Sequence, residues 1–155
     1  MKNKRRVLFT GTPCQVAGLK KFLHKEYENL LTVDILCHGV PSPRVFRNYL
    51  TYIGKGKKIV NFDFRDKSTG WKGYSVKYVY ENGKIKRHSA RLDEYMRAYL
   101  NHYMLRPSCH VCPAKAGKSG SDITLGDLWG ANQLPMIKDD DTGLSVVIVN
   151  TEKGE

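Results

Sequence analysis

The sequence contains no apolar stretch long enough to cross a membrane. A spanning helix needs about 20 consecutive, mostly apolar residues, and no run in these 155 residues comes near that length. The basic start, residues 2–6, is followed only by the short stretch Val7 to Thr10, whereas a secretory signal peptide needs an apolar core of about 7–15 residues. There is also no internal repeat and no low-complexity tract. We therefore expect a cytoplasmic protein without a membrane span.

Three common signatures of enzyme sites are also missing. The sequence shows no paired carboxylates, no Ser, His and Asp arrangement, and no G-x-G-x-x-G after a predicted strand. These patterns would have indicated general acid–base, nucleophilic or dinucleotide chemistry. Cysteine is scarce, with four residues, and in a cytosolic protein such cysteines more often bind metals or take part in catalysis than form disulfides. The four cysteines are therefore the first candidates for a functional site.

Acidic side chains are absent from the first 25 residues, which contain seven lysines and arginines. Residues 55–91 contain eleven basic residues against three acidic ones, and the formal charge of the chain is +11. This imbalance favours an anionic partner, which can be a nucleic acid, an acidic protein or a phosphate-bearing cofactor. The charge alone does not distinguish among these three classes.

Two strand–turn–helix units open the chain. Arg6 to Thr10 is predicted as a short buried strand, after which Thr12 is a good N-cap and Pro13 a good first helical residue. A second strand is predicted over residues 31–36, and Ser42-Pro43 repeats the same pairing at a helix start. A βαβα pattern of this kind favours parallel strands.

The remainder of the chain has a mixed pattern. Apolar and polar residues alternate over residues 60–64 and 74–80, and Asn82-Gly83 is a strong signal for a two-residue hairpin. Residues 92–103 carry aromatic and apolar side chains at helical spacing, which predicts a helix with this stripe in the core. Residues 105–122 are predicted to form a loop that contains Cys, Gly and Ser. Two further strands are predicted at residues 123–125 and 144–149.

The predicted fold class is therefore α/β, with a βαβα start, a mixed sheet, a β-hairpin insertion and a Cys-containing loop. A length of 155 residues fits one compact domain with its own core, so residues 1–155 are predicted to form a single domain. Because the chain stops shortly after a predicted strand, we expect it to be a fragment of a longer protein.

The cysteines are spaced as one constellation. Cys109 and Cys112 form a C-x-x-C, whose thiolates can turn toward a zinc ion or an iron–sulfur cluster. A thioredoxin-like dithiol is disfavoured, because this motif follows a predicted helix instead of opening one after a strand. Cys14 and Cys37 lie where predicted strands end and helices begin, the sheet edge at which ligands bind. If the two strands are neighbours, the sulfurs of Cys14 and Cys37 can reach the same site. Together with Cys109 and Cys112 they then complete a four-thiolate zinc or iron–sulfur centre.

Five motifs occur in an order that resembles a known family. The likeness covers roughly residues 6–151 and is to the C-terminal domain of the coenzyme F420 hydrogenase/dehydrogenase beta subunit family. Lys118 departs from the family pattern, since we expect an arginine there for contact with an anion. The motifs are Gly11-Thr12-Pro13-Cys14-Gln15, Cys37-His38-Gly39-Val40-Pro41-Ser42-Pro43, Arg65-Asp66-Lys67 with Gly70-Trp71, Cys109-x-x-Cys112, and Ser121-Asp122-Ile123-Thr124-Leu125-Gly126-Asp127-Leu128-Trp129-Gly130.

The resemblance implies an iron–sulfur flavoprotein that binds FAD and a 4Fe–4S cluster. Such a module passes electrons between the cluster and a small-molecule hydride carrier, coenzyme F420 or another, through FAD. We expect enzyme activity as part of a larger oxidoreductase. A ferredoxin-type domain or subunit is the implied electron partner, and nucleic acid is not an expected one.

The resemblance also implies roles for particular residues. The cluster ligands would be Cys14, Cys37, Cys109 and Cys112, and His38 would tune the cluster through hydrogen bonding. The remaining candidates would bind cofactor, through close approach of the backbone at residues 11–13 and through a cationic, glycine-containing loop with a stacking tryptophan. They are Gly11, Thr12, Pro13, Arg65, Lys67, Gly70, Trp71, Asp127, Trp129 and Gly130.

A non-enzymatic binding module is the alternative expectation. In that case the four cysteines bind zinc, and the zinc site stabilises a basic surface for nucleic acid or an acidic partner. Structural Cys₄ zinc sites often use two C-x-x-C-like segments, whereas Cys14 and Cys37 would be single ligands. The spacing of the cysteines does not exclude zinc.

Overall fold

The computed structural model describes residues 5–138 and 140–155, which form two compact units. The first unit contains residues 5–38, 111–138 and 144–155, and the second contains residues 39–110 and 140–143. That the two units act together as the single domain predicted for residues 1–155 stays a prediction. Within the described ranges, no helix has the length and apolar character needed to cross a membrane.

Strands and helices alternate over the first four elements, several strands then follow one another, and the predicted α/β class is confirmed. In chain order the elements are β1 (Val7–Thr10), α1 (Pro13–Leu23), β2 (Leu30–Ile35), α2 (Pro43–Gly54), β3 (Ile59–Asp66), β4 (Ser75–Tyr80), β5 (Ile85–Ser89), α3 (Glu94–Leu100), α4 (Pro107–His110), β6 (Ile123–Asp127) and β7 (Ser145–Val149). The helix α4 lies inside the segment that the sequence predicted as a Cys-containing loop.

A four-stranded mixed sheet in the order β1-β2-β6-β7 forms the first unit. The strands β1, β2 and β6 are parallel, and β7 is antiparallel to β6. In the middle of the sheet, Val33 pairs with Thr10 on one side and with Ile123 on the other. The predicted parallel start and mixed sheet are therefore confirmed, and the turns after β1 and β2 lie at the same edge.

Local sequence fixes the start of α1. Thr12 is the N-cap in an extended conformation and Pro13 is the first helical residue, where a missing N–H costs nothing. The backbone N–H of Thr12 donates to Gln15 Oε1 at 2.8 Å, which satisfies a donor that the helix leaves open. The helix ends at Leu23 and is capped by His24, a left-handed residue with φ 55°.

The second unit is built on a three-stranded antiparallel sheet in the order β3-β4-β5. The predicted hairpin is present, but its loop has three residues, 81–83, and not two, since the N–H of Tyr80 donates to the carbonyl of Lys84. Gly83 has a positive φ of 79°, and its N–H donates to the carbonyl of Tyr80. Aromatic side chains of α2, β3 and α3 form the core against this sheet. Phe46 lies 5.0 to 5.3 Å, centroid to centroid, from the rings of Phe62, Phe64 and Tyr95.

The predicted helix over residues 92–103 is shorter than its apolar spacing suggested. Only Glu94 to Leu100 is helical, because Asp93 caps its start by accepting from the N–H of Met96. The aromatic stripe is buried at Tyr95 and Met96, but Leu92 is 74% exposed and Tyr103 is 83% exposed. The prediction that the whole stripe lies in the core was therefore wrong at its two ends.

A buried carboxylate fastens β2 to β6 in the first unit. Asp122 is 2% exposed and accepts from both the N–H and the hydroxyl of Thr32, at 2.8 and 2.7 Å. The hydroxyl of Thr151 donates to its other oxygen, and Lys153 Nζ lies 3.5 Å away. Burial raises the pKa of Asp122, but these hydrogen bonds and the lysine charge outweigh burial, so the pKa lies below its usual value.

We predict that Asp122→Asn lowers the free energy of unfolding by about 2 kcal/mol at neutral pH, because two donors of Thr32 lose their charged acceptor. A lowered carboxyl pKa in the folded state stabilises the fold above the unfolded pKa of about 3.9 and loses that effect as pH falls. The deficit of the variant, measured by urea unfolding, should therefore shrink below about pH 4. The exposed Glu28→Gln is the control, and an equal effect in both variants would contradict the prediction.

Candidate functional site

A cavity of about 460 Å³ opens at the carboxyl ends of the parallel strands in the first unit. This volume lies within the usual range for ligand pockets. Its lining includes Pro13 from the start of α1, Cys37 from the turn after β2, and Asp127 from the end of β6. Trp129, which is 56% exposed, lines it as well. Sequence candidates from three separate motifs therefore meet in one cavity.

The inner wall of this cavity is held by a carboxylate that the sequence did not single out. Asp34 is 2% exposed, and its two oxygens accept hydrogen bonds from the hydroxyls of Ser119 and Thr124, at 2.6 and 2.5 Å. Both donors are themselves buried, so the three side chains satisfy one another. The only signal in the sequence is that Asp34 occupies an interior position of the strand predicted over residues 31–36.

The loop that follows Cys112 is fastened to the same wall. Lys115 lines the cavity, and its ammonium group donates to the carbonyl of His38 at 2.8 Å. This bond connects the segment after Cys112 with the segment after β2. The main-chain carbonyl of His38 thus has a positioning role, and a charge-assisted bond of this kind is among the stronger ones.

Three of the four cysteines belong to the first unit. Cys37 lines the cavity itself, Cys14 follows the cavity residue Pro13, and Cys112 precedes Lys115 by three residues. Cys14 is exposed in the first turn of α1. Its sulfur lies 3.2 Å from the hydroxyl of Thr12, which is close enough for a hydrogen bond to sulfur. Thr12 therefore contacts a candidate ligand directly.

Cys109 belongs to the second unit and is held by the segment that follows Cys37 in the chain. The N–H of Val40 donates to Cys109 Sγ at 3.4 Å, and the hydroxyl of Tyr99 donates to the carbonyl of Gly39. Gly39 has a φ of 135°, and a Cβ there would lie 2.8 Å from Leu105 and 3.3 Å from Cys109.

The four thiols match both kinds of centre in chemistry. None of the cysteines forms a disulfide, and thiolates are the ligands that iron–sulfur clusters and structural zinc share. Over residues 5–138 and 140–155, no three Cys, His, Asp or Glu side chains are gathered closely enough to hold a metal ion. The donor set fits such a centre, while the assembly of its sulfurs stays a prediction.

The cationic loop that the sequence assigned to phosphate or flavin lies in the second unit. The Arg65 guanidinium lies 5.0 Å from the ring centroid of Tyr74 and 5.7 Å from that of Trp71. Lys67 begins an exposed 3₁₀ turn that ends at Gly70, whose φ is 101°. Arg65, Lys67, Gly70 and Trp71 are therefore neighbours, as their spacing predicted.

Trp71 is buried, with 5% of its surface exposed. Its backbone N–H donates to the carbonyl of Asp141, and a Cβ at Gly143 would lie 2.5 Å from its indole nitrogen. Stacking of a flavin on Trp71 would require residues 140–143 to move away from the indole. Trp129 instead lines the cavity of the first unit.

Two glycines among the candidates have different local roles. Gly11 leaves room for the side chain of Gln15, since a Cβ there would lie 3.0 Å from Gln15 Oε1. This supports the helix start at Thr12. Gly130 has a φ of 83° and precedes a 3₁₀ turn, so it allows the sharp turn directly after Trp129.

Similarity to known proteins extends over almost the whole chain. A family model matches residues 4–155, and its description is the C terminus of the beta subunit in coenzyme F420 hydrogenase/dehydrogenase. A search of curated proteins found no match to the chain. Among solved structures, a chain of the F420-reducing [NiFe] hydrogenase complex from Methanosarcina barkeri is similar, with a TM-score of 0.51 and 19% sequence identity. The match covers 96% of this chain and 45% of that chain, and at this identity it supports the fold.

We predict that Gly39→Ala destabilises the second unit by about 2 kcal/mol or more, because the backbone conformation is strained and the new methyl group meets Leu105 and Cys109. Gly56→Ala is the matched control, since Gly56 also has a positive φ, 79°, but open space around its Cα. Urea unfolding and the rate of Cys109 modification by a thiol reagent measure the effect. Equal behaviour of the two variants would show that packing against Cys109 is unimportant.

Proposed function

The chain belongs to the coenzyme F420 hydrogenase/dehydrogenase beta subunit family, whose C-terminal part it matches, and we propose that it is the iron–sulfur flavoprotein module of a larger oxidoreductase. The observation that supports this most is the cavity at the strand ends, where Pro13, Cys37 and Trp129 meet. The chain spans less than half of the similar hydrogenase chain. Activity is therefore proposed for the complete oxidoreductase.

Four cysteines are the proposed ligands of a 4Fe–4S cluster. Their support is that Cys14 and Cys37 follow neighbouring parallel strands, that Cys112 is three residues from Lys115 of the same cavity, and that Val40 fixes the sulfur of Cys109. The N–H of Val40 would supply a hydrogen bond to the sulfur of Cys109, a contact that raises cluster potentials.

FAD is the proposed second cofactor. When bound, it would supply the chemistry that joins two-electron hydride transfer to one-electron transfer at the cluster. Trp129 would offer an aromatic face to the flavin, and Pro13 lines the same cavity. The hydride carrier would be coenzyme F420 or a similar small molecule, and the electron partner a ferredoxin-type domain or subunit.

Iron and sulfide analysis of anaerobically purified protein tests the proposal. We expect about four irons per chain and a broad visible absorption that dithionite bleaches. Stoichiometric zinc without a visible chromophore would overturn the redox function and support a zinc-stabilised binding module.

We predict that Cys109→Ser lowers the iron content from about four per chain to near zero, because a serine hydroxyl replaces one of four thiolates. Circular dichroism should still show an α/β protein. Val111→Ser is the matched control, since this side chain lies between the two cysteines and is 80% exposed. Full retention of iron and colour in the cysteine variant would reject Cys109 as a ligand.

We predict that Trp129→Ala weakens FAD binding about tenfold, which corresponds to about 1.4 kcal/mol, because the cavity loses its aromatic face. Trp71→Phe should bind FAD as the parent protein does, since that indole packs against residues 140–143. Titration followed by flavin fluorescence measures both variants. A selective loss in Trp71→Phe would move the flavin contact to the second unit.

A further inference from the structure

The positive charge of the chain is concentrated in its second unit. Residues 39–110 and 140–143 contain 15 basic and seven acidic side chains, whereas residues 5–38, 111–138 and 144–155 of the first unit contain nine basic and seven acidic ones. Neither the proposed cluster nor the cavity in the first unit uses this charge. A partner of opposite charge is one reason for a protein to keep a repulsive surface of this kind.

Five exposed lysines converge at one end of the three-stranded sheet. This end is formed by the turn between α2 and β3 and by the hairpin between β4 and β5, because Ile59 pairs with Tyr80 and Val79 with Ile85. The N–H of Glu81 also donates to the carbonyl of Lys58, which joins the turn to the hairpin. We call these residues the lysine end: Lys55, Lys57, Lys58, Lys84 and Lys86.

The lysine end carries one compensating acid. Glu81 forms an ion pair of 3.0 Å with Lys58. The strands β3 and β5 flank β4, so their backbones are about 10 Å apart, close to the Debye length of about 8 Å at physiological salt. The lysines therefore act on a partner as one positive field. Compensation of the α2 C-terminus explains a cation at Lys55, but it does not explain Lys84 or Lys86.

The composition of this surface selects the class of partner. All five cations are lysines, which are hydrated point charges, and residues 55–58 and 81–86 contain no arginine fork to bind phosphate in a bidentate way. The same two segments contain no aromatic side chain on which bases could stack. Flexible, fully hydrated charges suit the small and short-lived interfaces of electron-transfer proteins.

We propose that the lysine end is the docking surface for an acidic electron-transfer protein. This proposal rests on the redox function proposed above, because that function requires a one-electron partner. It adds the place on the chain where the partner binds and the sign of the charge that the partner must carry.

The test measures association with a dye-labelled, acidic 2[4Fe–4S] ferredoxin by stopped flow. The lysine-end variant is Lys57→Gln with Lys84→Gln and Lys86→Gln. The control variant is Lys21→Gln with Lys25→Gln and Lys138→Gln, which removes the same charge from exposed lysines of the first unit. We expect the association rate constant to fall about tenfold in the lysine-end variant at low salt and less than about twofold in the control. The difference should vanish at high salt.

Several outcomes would overturn the proposal. Equal losses in both variants would mean that net charge alone drives association, and no ferredoxin binding by the parent chain would exclude the partner class. Loss of random duplex DNA binding with unchanged ferredoxin binding would assign the surface to nucleic acid. Self-association of the variant with unchanged ferredoxin binding would show that the lysines only protect the β5 edge. This readout does not depend on iron or flavin content, so failure of the proposed function is distinguished separately by metal and flavin analysis.

Discussion

The parallel pairing of β1, β2 and β6 is the constraint on which the candidate site depends. It brings three strand ends to one edge, and the residues that follow or end these strands include Cys14, Cys37 and Asp127. Two buried aspartates, Asp34 and Asp122, reinforce the pairing between β2 and β6 through side-chain bonds. Because water cannot replace these bonds inside the sheet, each lost donor costs more than it would at the surface.

Features determined by neighbouring residues were predictable from the sequence. The helix start at Thr12-Pro13 and the hairpin at Asn82-Gly83 depend on backbone preferences that two residues express by themselves. The length of α3 was not predictable from its apolar spacing. Its start depends on the Asp93 cap, and the chain leaves the helical conformation by His102, whose φ is 66°.

The candidate site likewise has features that the sequence predicts and features that it does not. The strand-end positions of Cys14 and Cys37 follow from the βαβα pattern, whereas the Asp34 network joins residues 85 and 90 positions apart, which no local pattern reveals. The sequence placed Arg65 and Trp71 in one loop, whereas Arg65 lies near the end of β3 and only its side chain approaches the Trp71 ring. It did not show that residues 140–143 cover the indole, because that contact is also made by residues distant in the chain. Burial therefore separates the two tryptophans more sharply than their motifs do.

The hydrogen-bonded group of Asp34, Ser119 and Thr124 has a consequence for how this protein changes in evolution. Replacing Asp34 alone leaves two buried hydroxyls without their acceptor, although these hydroxyls still accept from the N–H of Ser121 and the amide of Asn150. Replacing all three by apolar side chains of matching shape removes those unsatisfied donors as well. Substitutions at these three positions should therefore be correlated. Among relatives we expect them to be substituted jointly, so that the cavity wall passes from a polar to an apolar version in one correlated step.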